Sequence, residues 1–274
     1  MEPAKATLKN LVRESSSPNK IFRRNVLKEY LQVLVLDFIY SDKKYSGLVF
    51  YGGSCLVHFH GLPRLSEDLD FVDLKKTVCL PELAAALEKY FNENTDLTTR
   101  ASLQKFRITL KFPLLRELGL ADGSQSDFVN LRVEVFPEFS YRKFKTEIIP
   151  VFKMNKSILA KTFDLSTLMA TKINAVLHRK WEKTDKRGRA LQKVKGRDYY
   201  DLMWYLQKGI KPNLNCVSGI NNLTSLKKTL LVSLKKADAR SIRLDLESLI
   251  EDQIFVKKLS KNIKEIIEGY LNKW

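Results

Sequence analysis

Two aspartates at alternate positions, Asp68 and Asp70 in the run DLDF, are the residues of this chain most suited to chemistry. On an extended strand, residues two apart point to one face, so the two carboxylates project side by side while Leu69 and Phe71 turn to the core. Like charges placed this way repel unless a cation lies between them. Mg²⁺ is the natural occupant, because it prefers oxygen ligands and commonly takes one or two carboxylates plus phosphate oxygens. The same spacing also suits an Asp68 that faces solvent or caps a neighbouring turn. Upstream, Gly52, Gly53 and Ser54 follow the apolar run GLVFY and open a helical segment. The N–H groups at such a turn are open to an anion, and glycine has no Cβ to hold a phosphate away. A hydroxyl at Ser54 can donate to a phosphate oxygen. Glu134 sits mid-strand in LRVEVF, where an unpaired charge is costly. It is the candidate third carboxylate of a two-metal site, in which a second ion activates the attacking hydroxyl. Pairing of Glu134 with Arg132 on a solvated face is the alternative.

Further along, Lys172 and Arg179 in KINAVLHR are seven apart and share a helix face. Asp198 and Asp201 in GRDYYDL are three apart on the next helix. Their carboxylates either orient Lys172 or bind a nucleotide, or Asp198 is a helix cap and Asp201 pairs with a local lysine. Arg64 and Ser66, just before the aspartates, either shape a metal site or fix the loop.

These residues need particular elements to hold them. The segment from Ile21 to Tyr40 repeats apolar residues at helical spacing, and residues 11–20 are polar and Ser-rich, as in an exposed arm. A short strand ends in the glycines, one or two helical turns run to Gly61, and a strand covers 68–74. PELAAALEKYFNEN is a helix with Pro81 near its start. Strand patterns follow around 95–112, 128–138 and 145–153, with Pro150 marking an edge or bend. After about residue 155 the pattern is helical, with one helix spanning LSTLMATKINAVLHRKWEK. The expectation is an α+β fold: an N-terminal mixed sheet with flanking helices over 1–154, then a helical domain over 155–274.

With these motifs in place, GGSCLVHFHGLPRLSEDLDF resembles the signature of the AbiEii/AbiGii toxin family, which has the form GGT-A-L…GLPR-x-S-x-DLDF. That family lies within the DNA polymerase β-like nucleotidyltransferases and includes toxins of MenT type. LRVEV resembles its second motif, and KINAVLHR and KGRDYYDLMWYL its third and fourth, so the likeness runs over residues 47–206. Ser54 stands for the usual threonine, Cys55 for alanine and Arg132 for lysine. The insert WEKTDKRGRALQKVKG is longer and more basic than the family's. The resemblance implies a nucleotidyltransferase that uses an NTP with Mg²⁺ (or Mn²⁺) on Asp68, Asp70 and Glu134. It implies phosphate binding by Gly52, Gly53, Ser54, Arg64, Lys172 and Arg179, and essential roles for Lys172, Asp198 and Asp201. The biological expectation is the toxin of a toxin–antitoxin pair, with a cognate antitoxin and an RNA acceptor, the tRNA 3′ end in particular. A protein or small-molecule acceptor keeps the same chemistry, and an RNA-binding protein without catalysis keeps the same fold.

Composition agrees with a polyanionic partner. The chain has 48 Lys and Arg against 31 Asp and Glu, a net charge of +17. Such a field draws RNA, DNA, nucleotides or an acidic protein, although basic proteins with no nucleic-acid role also exist. Ten Lys or Arg and two acidic residues fall between Lys172 and Arg197, either a solvated face or a track for an RNA backbone. Three widely spaced cysteines match no zinc pattern and read as free thiols of a reducing compartment. No apolar run approaches the roughly 20 residues of a membrane span, and no secretory signal opens the sequence. A cytoplasmic protein without membrane contact is expected.

Overall fold

Helix α1 (Ala4–Glu14) takes in residues 11–14 of the segment 11–20 expected to be a polar arm. Leu8 and Val12 recur at helical spacing and are buried, so its polar residues are only the outer face of an amphipathic helix. The chain is described, in a computed structural model, over residues 2–179, 182–184 and 190–274.

Asn19 caps α2 (Lys20–Ser41) by accepting from the N–H groups of Ile21 and Phe22. Next come β1 (Val49–Tyr51), α3 (Gly52–His60), β2 (Asp68–Val72), α4 (Leu80–Asn94), β3 (Arg100–Gln104), β4 (Arg107–Pro113) and β5 (Phe128–Phe136). The hairpin of β6 (Thr146–Lys153) and β7 (Lys156–Phe163) turns on Met154 and Asn155, both at positive φ, as a two-residue hairpin loop requires. Strand signals were expected to end near residue 155, yet β7 continues the sheet. Ile158, Ala160 and Thr162 are its buried face, and Leu159, 65% exposed, disguised the alternation.

The sheet runs β3-β4-β5-β2-β1-β7-β6. β2 lies parallel to β5 and antiparallel to β1, while β1 lies parallel to β7. Leu69, Phe71, Val133 and Val135 form its buried side, with α2 packed on β5 and α4 on β3 and β4. Lys156 is ion-paired with Glu2 and Asp37 at 2.9 and 3.1 Å, which ties the start of β7 to the N-terminus and to α2. Pro150 lies in the edge strand β6, where a missing N–H does not break the sheet's interior.

The remaining elements are helical apart from a small ribbon: α5 (Leu165–His178), β8 (Lys183–Thr184) paired with β9 (Ala190–Gln192), α6 (Gly196–Gln207), a 3₁₀ turn at Leu214–Cys216, α7 (Leu223–Leu234), α8 (Ala239–Leu246) and α9 (Gln253–Leu271). α5 stops at His178, earlier than expected. Residues 180, 181 and 185–189 of the basic segment lie outside the described residues. By contact the chain forms two units, 1–140 with 146–162, and 141–145 with 163–274. The α+β class is as expected, with a mixed sheet first and helices after it. Among the described residues, no helix is long and apolar enough to cross a membrane.

Gly196 begins α6 where that helix meets α8. A Cβ there would lie 2.8 Å from the Ile242 carbonyl oxygen and closer still to its Cα. Backbone cannot yield as a side chain can, so Gly196→Ala is expected to lower the unfolding free energy by about 1–3 kcal/mol. Urea denaturation with an unchanged m-value checks this; a midpoint equal to that of the parent would mean the helices separate freely.

Candidate active site

In the sheet unit, strand register gathers the acidic residues. Asp68 pairs with Arg132 and Asp70 with Glu134 across β2 and β5, and Arg107 on β4 stands opposite Glu134. Asp68, Asp70 and Glu134 are all partly exposed, on the face opposite the buried Leu69, Phe71, Val133 and Val135. Glu134 pairs with Arg107, at 2.6 Å from both Nε and Nη2. Arg132, the partner in the alternative reading, lies instead 3.8 Å from Asp68 Oδ1. The mid-strand acid is thus compensated from the neighbouring strand, as a charge in that position requires. Sequence reading did not single out Arg107, because nothing local links it to Glu134.

The glycine turn sits against the same aspartates. Gly52 has φ +80°, the left-handed region that favours glycine, and a Cβ on it would collide with the Asp70 carboxylate. A Cβ on Gly53 would lie 2.6 Å from Arg64 Nη2 and 3.4 Å from Ser66 Oγ. Arg64 is 5% exposed and donates to the Leu65 carbonyl at 2.7 Å, so it lies packed under the turn. Ser54 is fully buried and its hydroxyl donates to the main-chain carbonyl of Asp68. That bond fastens α3 to β2. The first N–H groups of α3 have no partner within the helix; of the residues that carry them, Gly52 and Gly53 are partly exposed and Ser54 and Cys55 are buried.

Behind the turn lies a buried polar chain that the sequence did not announce. Lys153 Nζ, paired with Glu29 at 2.7 Å, donates to His58 Nδ1 at 3.2 Å. The imidazole proton therefore sits on Nε2 and is donated to Gln32 Oε1 at 2.9 Å, and Gln32 Nε2 donates to the Ser66 carbonyl at 3.0 Å. Burial, helped by the Lys153 charge, lowers the His58 pKa from 6.5 to about 3. Cys55 is buried beside Thr162 and its thiol is pushed up to about 12, so it is no nucleophile at neutral pH. All three cysteines are free.

Asp68 and Asp70 offer oxygen donors on one face, a set that suits Mg²⁺ completed by water and phosphate oxygens. Among the described residues no group of three His, Cys, Asp or Glu side chains is gathered as a metal cluster; Glu134 is turned to Arg107. Beside the acids, Tyr51, Phe106, Phe136 and Phe139 are half-buried and in mutual ring contact, a surface on which a base can stack.

In the helical unit, α5 and α6 build a second charged cluster. Lys172 Nζ lies 2.8 Å from Asp201 Oδ2 and 3.4 Å from Asp198 Oδ1, and Arg179 Nη1 lies 2.8 Å from Asp198 Oδ2. Asp201 and Asp198 have side chains 0% and 3% exposed, so the two carboxylates hold the cations at the helix surface. Their three-residue spacing puts both on the face toward Lys172, as the sequence implied. Asp198 makes no side-chain cap on its own helix.

The sheet order, the acids on one strand face and the glycine turn before them define a nucleotidyltransferase-type fold. MenT4, a nucleotidyltransferase toxin from Mycobacterium tuberculosis H37Rv, superposes with a TM-score of 0.57 at 12% identity, covering 98% of this chain and 90% of that one. The crystal structure of JHP933 from Helicobacter pylori gives a TM-score of 0.50 at 15% identity, covering 91% of this chain and 94% of that one. No curated protein matches the sequence. The model of the family described as nucleotidyl transferase AbiEii toxin, type IV TA system, matches residues 37–273. The chain belongs to that family of nucleotidyltransferase toxins.

The His58 pKa carries a pH signature. Being lower in the folded state, it leaves the unfolded chain binding more protons between pH 6.5 and 3, so stability falls as pH drops through that window, by up to about 1.4 kcal/mol per pH unit. Between pH 7 and 5, above most carboxylate titration, His58→Gln is expected to flatten this slope in urea titrations. Parallel slopes in parent and variant would mean that His58 titrates alike in the folded and unfolded chain.

Proposed function

We propose that this protein transfers a nucleoside monophosphate from an NTP to a hydroxyl of RNA, the 3′ end of tRNA in particular, and releases pyrophosphate. The observation that carries the reading is the shared face of Asp68 and Asp70, closed on one side by Gly52 and extended by Glu134. Asp68 and Asp70 would hold a divalent ion, which when bound would supply charge neutralisation for the triphosphate. The NTP phosphates lie along the N–H groups of the Gly52–Gly53 turn, where glycine permits close approach. Ser54 and Arg64 support this from beneath: Ser54 fixes α3 to β2, and Arg64 fills the space under Gly53.

The acceptor oxygen forms its bond to the α-phosphorus as the bond from that phosphorus to the β-bridging oxygen breaks, so pyrophosphate leaves with the electron pair. Glu134, held in position by Arg107, takes part in removing the acceptor's proton. Lys172 and Arg179 neutralise charge on the departing phosphates, with Asp198 and Asp201 holding Lys172 in position. A type IV toxin–antitoxin family implies a cognate antitoxin, whose expression relieves the toxicity of the transfer.

Asp68→Asn and Asp70→Asn are each expected to lower transfer from α-labelled NTP by about a thousandfold, some 4 kcal/mol of transition-state stabilisation, with thermal melting intact. Separating RNA from protein after labelling reads the acceptor. Undiminished transfer in both variants would remove the aspartates from the mechanism, and label confined to the protein fraction would replace RNA as acceptor. Gly52→Ala, which sets a methyl group against Asp70, is expected to reduce transfer at least about tenfold. Full activity in that variant would show that the turn has no part in positioning.

A further inference from the structure

The positive charge of this protein is not spread evenly. The sheet unit has 22 Lys and Arg against 19 Asp and Glu, a net of +3, whereas the helical unit has 26 against 12, a net of +14. In the sheet unit many lysines are matched locally, as in Lys9–Glu117, Lys20–Asp122, Lys76–Glu138 and Lys153–Glu29. The helical unit leaves a group of cations unmatched on α9. Lys257, Lys258 and Lys261 are exposed and, among the described residues, have no ion-pair partner.

These lysines line one groove together with Arg243 of α8, Gln253 and Ile254. Ile254, Lys257, Lys258 and Lys261 stand at i, i+3, i+4 and i+7, on one side of the helix. Val256, Leu259, Ile263 and Ile267 are buried in the unit's own core. The floor is rigid: Gln253 donates to the carbonyls of Glu247, Ile250 and Glu251 and clamps the α8–α9 connection. Asp252 is engaged as the cap of α9, and Glu247 is paired with Arg243. Ile254, 70% exposed, adds an apolar contact among the charges.

Three like charges within two helical turns repel one another, and no acidic residue lines the groove with them. Their counterpart is a chain of regularly repeated anions. Lysine suits phosphate as a compact charge that demands no fixed geometry, and an RNA backbone supplies phosphates in series with ribose faces to lie on Ile254. We infer that the α8–α9 groove is a holding surface for the phosphate backbone of RNA, separate from the basic segment between Lys172 and Arg197. This rests on the reading that RNA is the acceptor.

The test is binding of in-vitro-transcribed tRNA to the full-length protein, followed by fluorescence anisotropy across a salt series. Lys257→Glu, Lys258→Glu and Lys261→Glu combined are expected to weaken binding at least about tenfold at ~0.15 M salt. They should also reduce the slope of log K against log salt by about 2, three contacts at roughly 0.7 each. A control with the same change in net charge, Lys43→Glu, Lys75→Glu and Lys105→Glu on the sheet unit, is expected to shift affinity less than threefold. Equal losses in the two variants would overturn the groove, since net charge alone would then explain binding. So would displacement of tRNA by poly-glutamate as effective as by unlabelled tRNA, because the surface would then suit an acidic protein equally. Binding of Mg²⁺–NTP is expected to persist in both variants. If the parent binds tRNA with the expected salt slope but transfers no label to it, the acceptor reading fails while the groove stands.

Discussion

Like charges cannot share one face of a short strand without compensation, and the first unit is organised around that constraint. Asp68 and Asp70 are both partly exposed on the open face of β2, with Glu134 beside Asp70 on β5. Arg107 and Arg132 approach from β4 and β5, and the Gly52 backbone closes against Asp70. Every other feature of the site either creates this arrangement or prevents its collapse. The parallel pairing of β2 with β5 sets the register, and the Ser54 hydroxyl on the Asp68 carbonyl keeps α3 at the end of the strand. Arg64 fills the space beneath Gly53 that a larger residue would need.

The polar chain from Lys153 through His58 and Gln32 to the Ser66 carbonyl extends the same logic inward. Each member satisfies the next, and an unpaired buried polar group would be costly. His58 stays neutral chiefly because it is buried, and the Lys153 charge at its other nitrogen adds to the effect. The loop before the aspartates is thereby anchored to α2 and to β6 by hydrogen bonds of fixed direction. The acids are half-exposed, and the network behind them is buried.

The second unit handles charge in two ways. Around Lys172 the cations are held by two buried aspartates, so charge there is positioned as well as present. On α9, Lys257, Lys258 and Lys261 are exposed and, among the described residues, have no ion-pair partner. Within one basic unit, the first arrangement suits a defined anionic group and the second a long polyanion. A net charge of +17 read from composition alone does not separate these cases.

Sequence by itself determined the family and the α+β class, and it placed Asp68 and Asp70 on one face of one strand. Strand alternation at DLDF and LRVEV and the glycines before them are local patterns whose geometry follows from backbone stereochemistry. The i, i+7 spacing of Lys172 and Arg179 likewise survives as two cations on one aspartate. Partner choice was a matter for tertiary structure. Arg107 rather than Arg132 pairs with Glu134 because cross-strand register brings together residues 27 apart in the chain. Ser54 faces a main-chain carbonyl, and Arg64 lies buried, because helix and strand close on them from opposite sides. β7 was missed because Leu159 faces outward at an apolar position, and α1 because its polar side dominated the reading. Periodicity reports which residues share a face; only the packed chain decides what that face meets.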